Sequence, residues 1–118
     1  MKKKLVQGAV VAAGVGLFGW AATAQGTTAW SDVESIFDDN CTRCHGSSHP
    51  TGLDLRSYAS VIAGSNSGAV VIAGDADGSL LVRKIRGQAG SRMPRGGPAL
   101  PAAVIDRIVA WVNDGLRP

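Results

Sequence analysis

The sequence has little sulfur and few aromatic rings. Its 118 residues include two cysteines, two methionines, three tryptophans, one tyrosine and two phenylalanines. Two cysteines cannot build the disulfide framework that holds many small exported domains together. The length argues for one domain at most, and a domain this small is only marginally stable alone. With so few large side chains to fill its core, we expect a group other than side chains to help to complete it.

A surplus of one charge is also missing once the N-terminal segment is set aside. The formal net charge is +3, and Lys2, Lys3 and Lys4 account for all of it. The rest of the chain carries nine basic and nine acidic side chains. Because nucleic-acid-binding domains usually carry a basic surplus, we do not expect nucleic acid as a partner.

The N-terminal segment has the order of a secretory signal peptide. The three lysines precede an uncharged, mostly apolar stretch over residues 5 to 31, and Ala22-Thr23-Ala24 fits an A-x-A cleavage site. We therefore predict a signal peptide over residues 1–24, followed by one domain over residues 25–118. The alternative is an uncleaved anchor, because the apolar stretch is just long enough to span a bilayer. Only in that case do we expect contact with a membrane.

Both cysteines lie in the run Cys41-Thr42-Arg43-Cys44-His45. C-x-x-C-H is the attachment signature of a c-type haem. Two thiols at this spacing can add to the two vinyl groups on one edge of a porphyrin, and the next residue then places an imidazole at the iron. We predict one covalent haem on Cys41 and Cys44, with His45 as the proximal iron ligand.

Other uses of the same residues stay open. A disulfide between Cys41 and Cys44 is compatible with export, whereas a thioredoxin-like site would need a strand–helix–strand context that the sequence does not suggest. Together with His45 and His49, the two thiols also form a Cys2His2 set, although structural zinc sites usually take their ligand pairs from separated segments. We interpret His49 as a solvent-exposed loop residue, too closely tethered to His45 to reach the opposite haem face.

Few residues remain to serve as the distal ligand. The chain beyond residue 24 has one methionine, Met93, which lies between two arginines in a loop rich in Gly and Pro, where packing gives no reason for a thioether. Pro94 stiffens this loop, and Gly96-Gly97 lets the backbone approach a flat surface. We predict Met93 as the distal ligand and interpret Lys84, a conceivable alternative, as a surface charge. Because His and Met together saturate the iron, this pair favours electron transfer over catalysis.

Capping signals and hydrophobic spacing predict the first half of the fold. Ser31 and Glu34 fit a capping box that starts a first helix, and a short second helix is expected over residues 56–63. Residues 52–55 are expected to form a loop that turns apolar side chains inward. The apolar run 69–72 has the composition of a short strand, but no partner strand is evident.

Two further helices are predicted towards the C-terminus. Ser79 is placed to cap the third, whose inward side chains are expected to be Leu80, Leu81 and Ile85. Pro101 suits the first turn of the last helix and Gly115 its end. One apolar stripe runs along this helix, and we interpret its tryptophan as a core residue: Val104, Ile105, Ile108, Trp111 and Val112.

The charges are segregated along the chain. Acidic residues fall on the first helix and its exit, and no acidic residue interrupts the basic ones between positions 83 and 105. This pattern predicts either an ordinary solvated surface or a basic rim near the haem edge, which would steer an acidic redox partner. Arg92 or Arg95 is placed to pair with haem propionates.

Taken together, these segments resemble a bacterial monohaem class I cytochrome c over nearly all of residues 29 to 116. The resemblance rests on Cys41-x-x-Cys44-His45-Gly46, Gly52-Leu53-Asp54-Leu55, Met93-Pro94-x-Gly96-Gly97-Pro98-x-Leu100 and Ile108-x-x-Trp111. It implies an all-α, cytochrome c-like fold wrapped around one covalent haem, with His45 and Met93 axial. Together with the export signal and the His/Met pair, this leads us to expect a periplasmic single-electron carrier that works with redox protein partners and is not itself an enzyme.

Three other functions stay open. The protein could be an anchored or docked cytochrome subunit of a larger oxidoreductase. A haem sensor or peroxidase-like enzyme would need an open iron position, and a single C-x-x-C-H argues against a two-haem peroxidase. A zinc-binding module would carry no visible chromophore.

Overall fold

A computed structural model describes residues 26–118 of the chain. The predicted signal peptide or anchor over residues 1–24 lies outside this range. Within it, no helix is both long enough and apolar enough to cross a membrane.

The described residues form four α-helices, and no β-strand is found among them. A single 3-10 turn over Trp30–Asp32 precedes the first helix. The helices are α1 (Glu34–Asn40), α2 (Tyr58–Ala63), α3 (Leu80–Ile85) and α4 (Ala102–Asn113). This architecture agrees with the predicted all-α class.

The start of α1 differs from the prediction. Ser31 does not cap this helix, because it lies inside the 3-10 turn and α1 begins only at Glu34. The carboxylate of Asp32 instead accepts a hydrogen bond from the Ala29 N–H at 2.8 Å. Val33, between this turn and α1, is fully buried.

The predicted short strand over residues 69–72 does not form. Val70 and Val71 are buried in irregular backbone, and the Val70 carbonyl accepts a hydrogen bond from the Leu81 N–H at 2.9 Å. The segment therefore satisfies part of its backbone through the first turn of α3, where a strand would have needed a second strand.

Ser79 precedes α3 as predicted, but its hydroxyl does not cap the helix. The fully buried hydroxyl donates to the Asp75 carbonyl at 2.8 Å and accepts from the Ile72 N–H at 2.8 Å. Leu81 and Ile85 are buried as predicted, together with Val82. The Ser79 hydroxyl thus links two backbone positions of the preceding loop, Ile72 and Asp75.

The apolar stripe of α4 packs against the core as the sequence predicts. Ile108, Trp111 and Val112 are almost completely buried, so the assignment of Trp111 to the core is confirmed. Val104 and Ile105 are partly buried against the same core. Gly115, at φ +101°, follows the helix in a conformation that suits glycine.

An aromatic cluster joins the two ends of the described chain. Trp30 stacks on Phe37 at a centroid distance of 5.3 Å and lies 5.5 Å from Trp111 and 6.0 Å from Tyr58. The backbone N–H of Trp30 and the indole N–H of Trp111 both donate to the Arg117 carbonyl, at 2.8 and 2.9 Å. Because Phe37 also lines the cavity described below, this cluster supports one wall of the site.

Candidate haem site

A large cavity opens between α1, α3, α4 and the loops that join them. Its volume is about 970 Å³, at the upper end of what small-molecule and cofactor pockets occupy. Most of its lining is apolar, with walls that include Phe37, Leu53, Leu80, Leu81, Leu100 and Ile108. All four residues predicted to hold the haem also line it: Cys41, Cys44, His45 and Met93.

The haem motif lies in a helical turn that follows α1. The Cys41 N–H donates to the Phe37 carbonyl at 2.9 Å, and the His45 N–H donates to the Cys41 carbonyl at 2.9 Å. Residues three and four positions apart share one face of a helical turn. The i, i+3, i+4 spacing of Cys41, Cys44 and His45 therefore turns both thiols and the imidazole to the same cavity.

The two thiols differ in environment. Cys41 is half-buried and Cys44 is exposed, and the two are not joined in a disulfide. Burial raises the pKa of the Cys41 thiol to about 11, which keeps it protonated at neutral pH. Because no disulfide joins them, both thiols are available for thioether formation.

Hydrogen bonds hold both the backbone and the ring of His45. Its carbonyl accepts from the Leu55 N–H at 2.9 Å, and its Nδ1 lies 3.2 Å from the Leu53 carbonyl. Since a carbonyl only accepts, the network assigns the proton to Nδ1 and leaves the Nε2 lone pair free for a metal. Burial lowers the pKa of His45, although the hydrogen bond to Leu53 opposes the shift. The neutral ring is the form that ligates iron.

The prediction that His49 is solvent-exposed is wrong. It is half-buried and lines the cavity, with its ring stacked on that of His45 at a centroid distance of 4.0 Å and an interplanar angle of 22°. The turn from Gly46 to Thr51 folds back on itself through the Gly52 N–H, which donates to the His49 carbonyl at 2.9 Å. The short tether that we expected to keep His49 from the opposite haem face places its ring against that of His45.

The zinc alternative is not supported by the geometry. Within residues 26–118, no group of three or more His, Cys, Asp or Glu side chains is arranged to hold a metal ion. Stacked rings also suit a Cys2His2 centre poorly, because tetrahedral ligands converge on the metal from different directions.

The Met93 loop is fastened to the end of α3. The Met93 N–H donates to the Lys84 carbonyl at 3.1 Å, and the guanidinium of Arg92 donates to the Gly97 carbonyl at 3.3 Å. Met93 is half-buried and packs against the core. These bonds hold a thioether at the cavity wall within a loop that has no regular secondary structure.

Of the basic residues between positions 83 and 105, fewer line the cavity than the sequence suggested. Arg43, Lys84 and Arg95 line the cavity, together with one acidic residue, Asp39. Arg86 does not line it and pairs with Asp77 at 2.7 Å. Arg92 is likewise not part of the lining and bonds within its own loop, so only Arg95 of the two candidate arginines faces the cavity.

The residues present fit a haem. The site offers paired free thiols, a neutral imidazole and a thioether around one apolar cavity. The side chain of Leu80, predicted to face inward, is 39 % exposed and lines this cavity. A large apolar group bound there would cover it, which accounts for an apolar residue that the protein alone leaves uncovered.

Some features of the site escaped the sequence analysis. Leu80 was assigned to the core because helical spacing alone does not distinguish a core from a cofactor cavity. The Leu53 carbonyl carries no side-chain signature, although the prediction that residues 52–55 fold inward placed it in the right region.

A helical fold with a C-x-x-C-H turn and a cavity of this kind is similar to that of a c-type cytochrome. In agreement, a family model described as "Planctomycete cytochrome C" matches residues 41–97, from Cys41 to Gly97 within the Met93 loop. The match supports an electron-transfer protein with covalent haem c, for which Cys41 and Cys44 are present. It also suggests a carrier rather than an enzyme. No curated protein and no solved structure matches the chain.

Proposed function

We propose that this chain is a monohaem single-electron carrier. One haem c is attached through Cys41 and Cys44, and its iron is ligated by His45 and Met93. The observation that carries the proposal is the convergence of these four side chains on the walls of one apolar cavity.

Each residue has a defined part in the transfer. Bound haem supplies a reversible one-electron couple at its iron. His45, oriented by the Leu53 carbonyl, and Met93 would be the two protein ligands of the iron, and the thioether would raise the reduction potential. With two protein ligands, the iron would have no open position for a substrate. The apolar walls exclude water, so that little reorganisation accompanies the change of charge.

The exposed edge of the site is where we expect a partner to dock. Cys44 is exposed, and three of the charged residues lining the cavity are basic, namely Arg43, Lys84 and Arg95. An acidic face on the donor or acceptor would complement this basic rim and speed their encounter. We propose such redox proteins as partners.

We propose that the protein works in the periplasm. The support is the signal-peptide pattern of residues 1–24, with cleavage after Ala24. Mass spectrometry of protein from the exporting cell tests this, since cleavage gives a chain that begins at Gln25. An intact Met1 would instead favour an anchored subunit of a larger oxidoreductase.

Protein-film voltammetry tests the proposed function. A carrier gives one reversible wave that integrates to a single electron and shows no catalytic current when oxygen or hydrogen peroxide is added. A catalytic peroxide current would contradict the carrier and favour the peroxidase-like alternative. Two resolved waves would contradict a single haem.

A further inference from the structure

The loop that follows the haem motif places a second histidine against the first. The rings of His45 and His49 lie nearly parallel at a centroid distance of 4.0 Å, which is van der Waals contact between flat faces. Both rings line the cavity. A histidine four residues after a haem-binding histidine therefore touches it directly.

Thr51 fixes which nitrogen of His49 carries the proton. The Thr51 N–H donates to His49 Nδ1 at 3.2 Å, and the Thr51 hydroxyl lies 2.8 Å from the same atom. Since a backbone N–H only donates, Nδ1 is an acceptor, and the neutral ring carries its proton on Nε2. In this tautomer neither nitrogen of His49 is free to bind a metal while the Thr51 bonds persist. His49 is thus held as a neighbour of the iron ligand and not as a ligand itself.

Two independent contacts then restrict the His45 ring. The Leu53 carbonyl holds its Nδ1 edge at 3.2 Å, which limits rotation about the Cβ–Cγ bond. The flat face of His49 blocks one side of the ring. Interactions of this kind around a metal-binding histidine set its orientation and its strength as a ligand.

We propose that His49 is a positioning residue for His45, setting the plane of the proximal imidazole relative to the haem. The inference rests on the proposed function, since it concerns a haem ligated by His45. It assigns a role to the flat face of His49 and none to metal binding. A phenyl ring at position 49 should therefore replace it, whereas a methyl group should not.

Proton NMR of the oxidised holoprotein tests the proposal, because the hyperfine-shifted signals of the haem methyl groups depend on the orientation of the imidazole plane. The variants are His49→Ala, His49→Phe and the control Ser48→Ala, which changes an exposed residue of the same turn. We expect His49→Ala to change the spread or order of the methyl shifts. His49→Phe should largely retain the wild-type pattern, and Ser48→Ala should leave it unchanged.

The outcomes separate this inference from the proposed function. Methyl shifts in His49→Ala identical to those of the wild type would overturn the positioning role while leaving the carrier intact. An absorbance spectrum and potential that change in both His49→Ala and His49→Phe, with new carbon monoxide binding, would identify His49 as a ligand and also overturn it. Wild-type protein without covalent haem would instead overturn the proposed function.

Discussion

At the residue scale, some groups of the site can be recognised from the sequence and others cannot. Cys41, Cys44 and His45 follow from a five-residue motif because their spacing matches one helical turn. The carbonyl of Leu53, which sets the tautomer of His45, belongs to the backbone and has no sequence signature. The environment of His49 was predicted wrongly, because the path of a short Gly- and Ser-containing turn depends on tertiary hydrogen bonds.

Replacement of Met93 tests the distal ligand. In Met93→Ala we expect the reduced protein to bind carbon monoxide rapidly at neutral pH, because the thioether no longer occupies a ligand position. We also expect the reduction potential to fall, because a methionine ligand raises it. Stopped-flow absorbance and voltammetry measure the two effects. Leu80→Ala is the control, since it also shortens a side chain at the cavity wall but removes no ligand. Unchanged carbon monoxide binding and potential in Met93→Ala would remove Met93 from the iron.

At the element scale, prediction succeeds where an element is long and amphipathic. The apolar stripe of α4 extends over three turns, and its burial, its start and its end all agree with the pattern. The shorter helices are less well determined by local sequence. Ser31 has the residue type of a cap but lies in a 3-10 turn, and Val33, which follows this turn, is fully buried. Ser79 precedes α3 but uses its hydroxyl elsewhere.

Replacement of Ser79 tests how the loop before α3 is held. Ser79→Ala leaves the Asp75 carbonyl and the Ile72 N–H without their hydroxyl partner, and an unsatisfied buried group costs roughly 1–3 kcal/mol. We expect the free energy of unfolding to fall by about 1–3 kcal/mol in urea denaturation of the holoprotein. Ser35→Ala, exposed on α1, is the control and should remain within about 0.5 kcal/mol of the wild type. Equal stability of the two variants would contradict the structural role of Ser79.

At the scale of the whole molecule, the contacts that matter join distant parts of the chain. The aromatic cluster brings Trp30 to Trp111, and both rest on the Arg117 carbonyl. Periodicity predicts that Trp111 is buried but not which residues cover it, because those partners lie far away in sequence. The cavity is likewise built from segments spread from Phe37 to Ile108, so the sequence indicates the candidate haem-binding residues better than the apolar walls around them.

Charge at the cavity rim should control the encounter with redox partners. We expect Arg95→Glu to slow oxidation of the reduced protein by the anion ferricyanide, because it replaces attraction with repulsion at the site of transfer. Arg83→Glu is the matched control, since it makes the same change of charge on α3 outside the cavity lining. Stopped-flow rates at low ionic strength should fall more for Arg95→Glu, and the difference should shrink as salt is added. Equal rates for the two variants would contradict a functional basic rim.

The most direct test of the central claim is the intact mass and colour of the protein after acid–acetone extraction. It should be prepared from a host that attaches haem to C-x-x-C-H motifs. We predict that the pigment stays with the polypeptide, that the mass exceeds that of the chain by one haem, and that the double variant Cys41→Ala/Cys44→Ala is colourless after extraction. A wild-type protein whose pigment moves into the solvent, or whose mass equals that of the unmodified chain, would contradict covalent haem at this site and the account built on it.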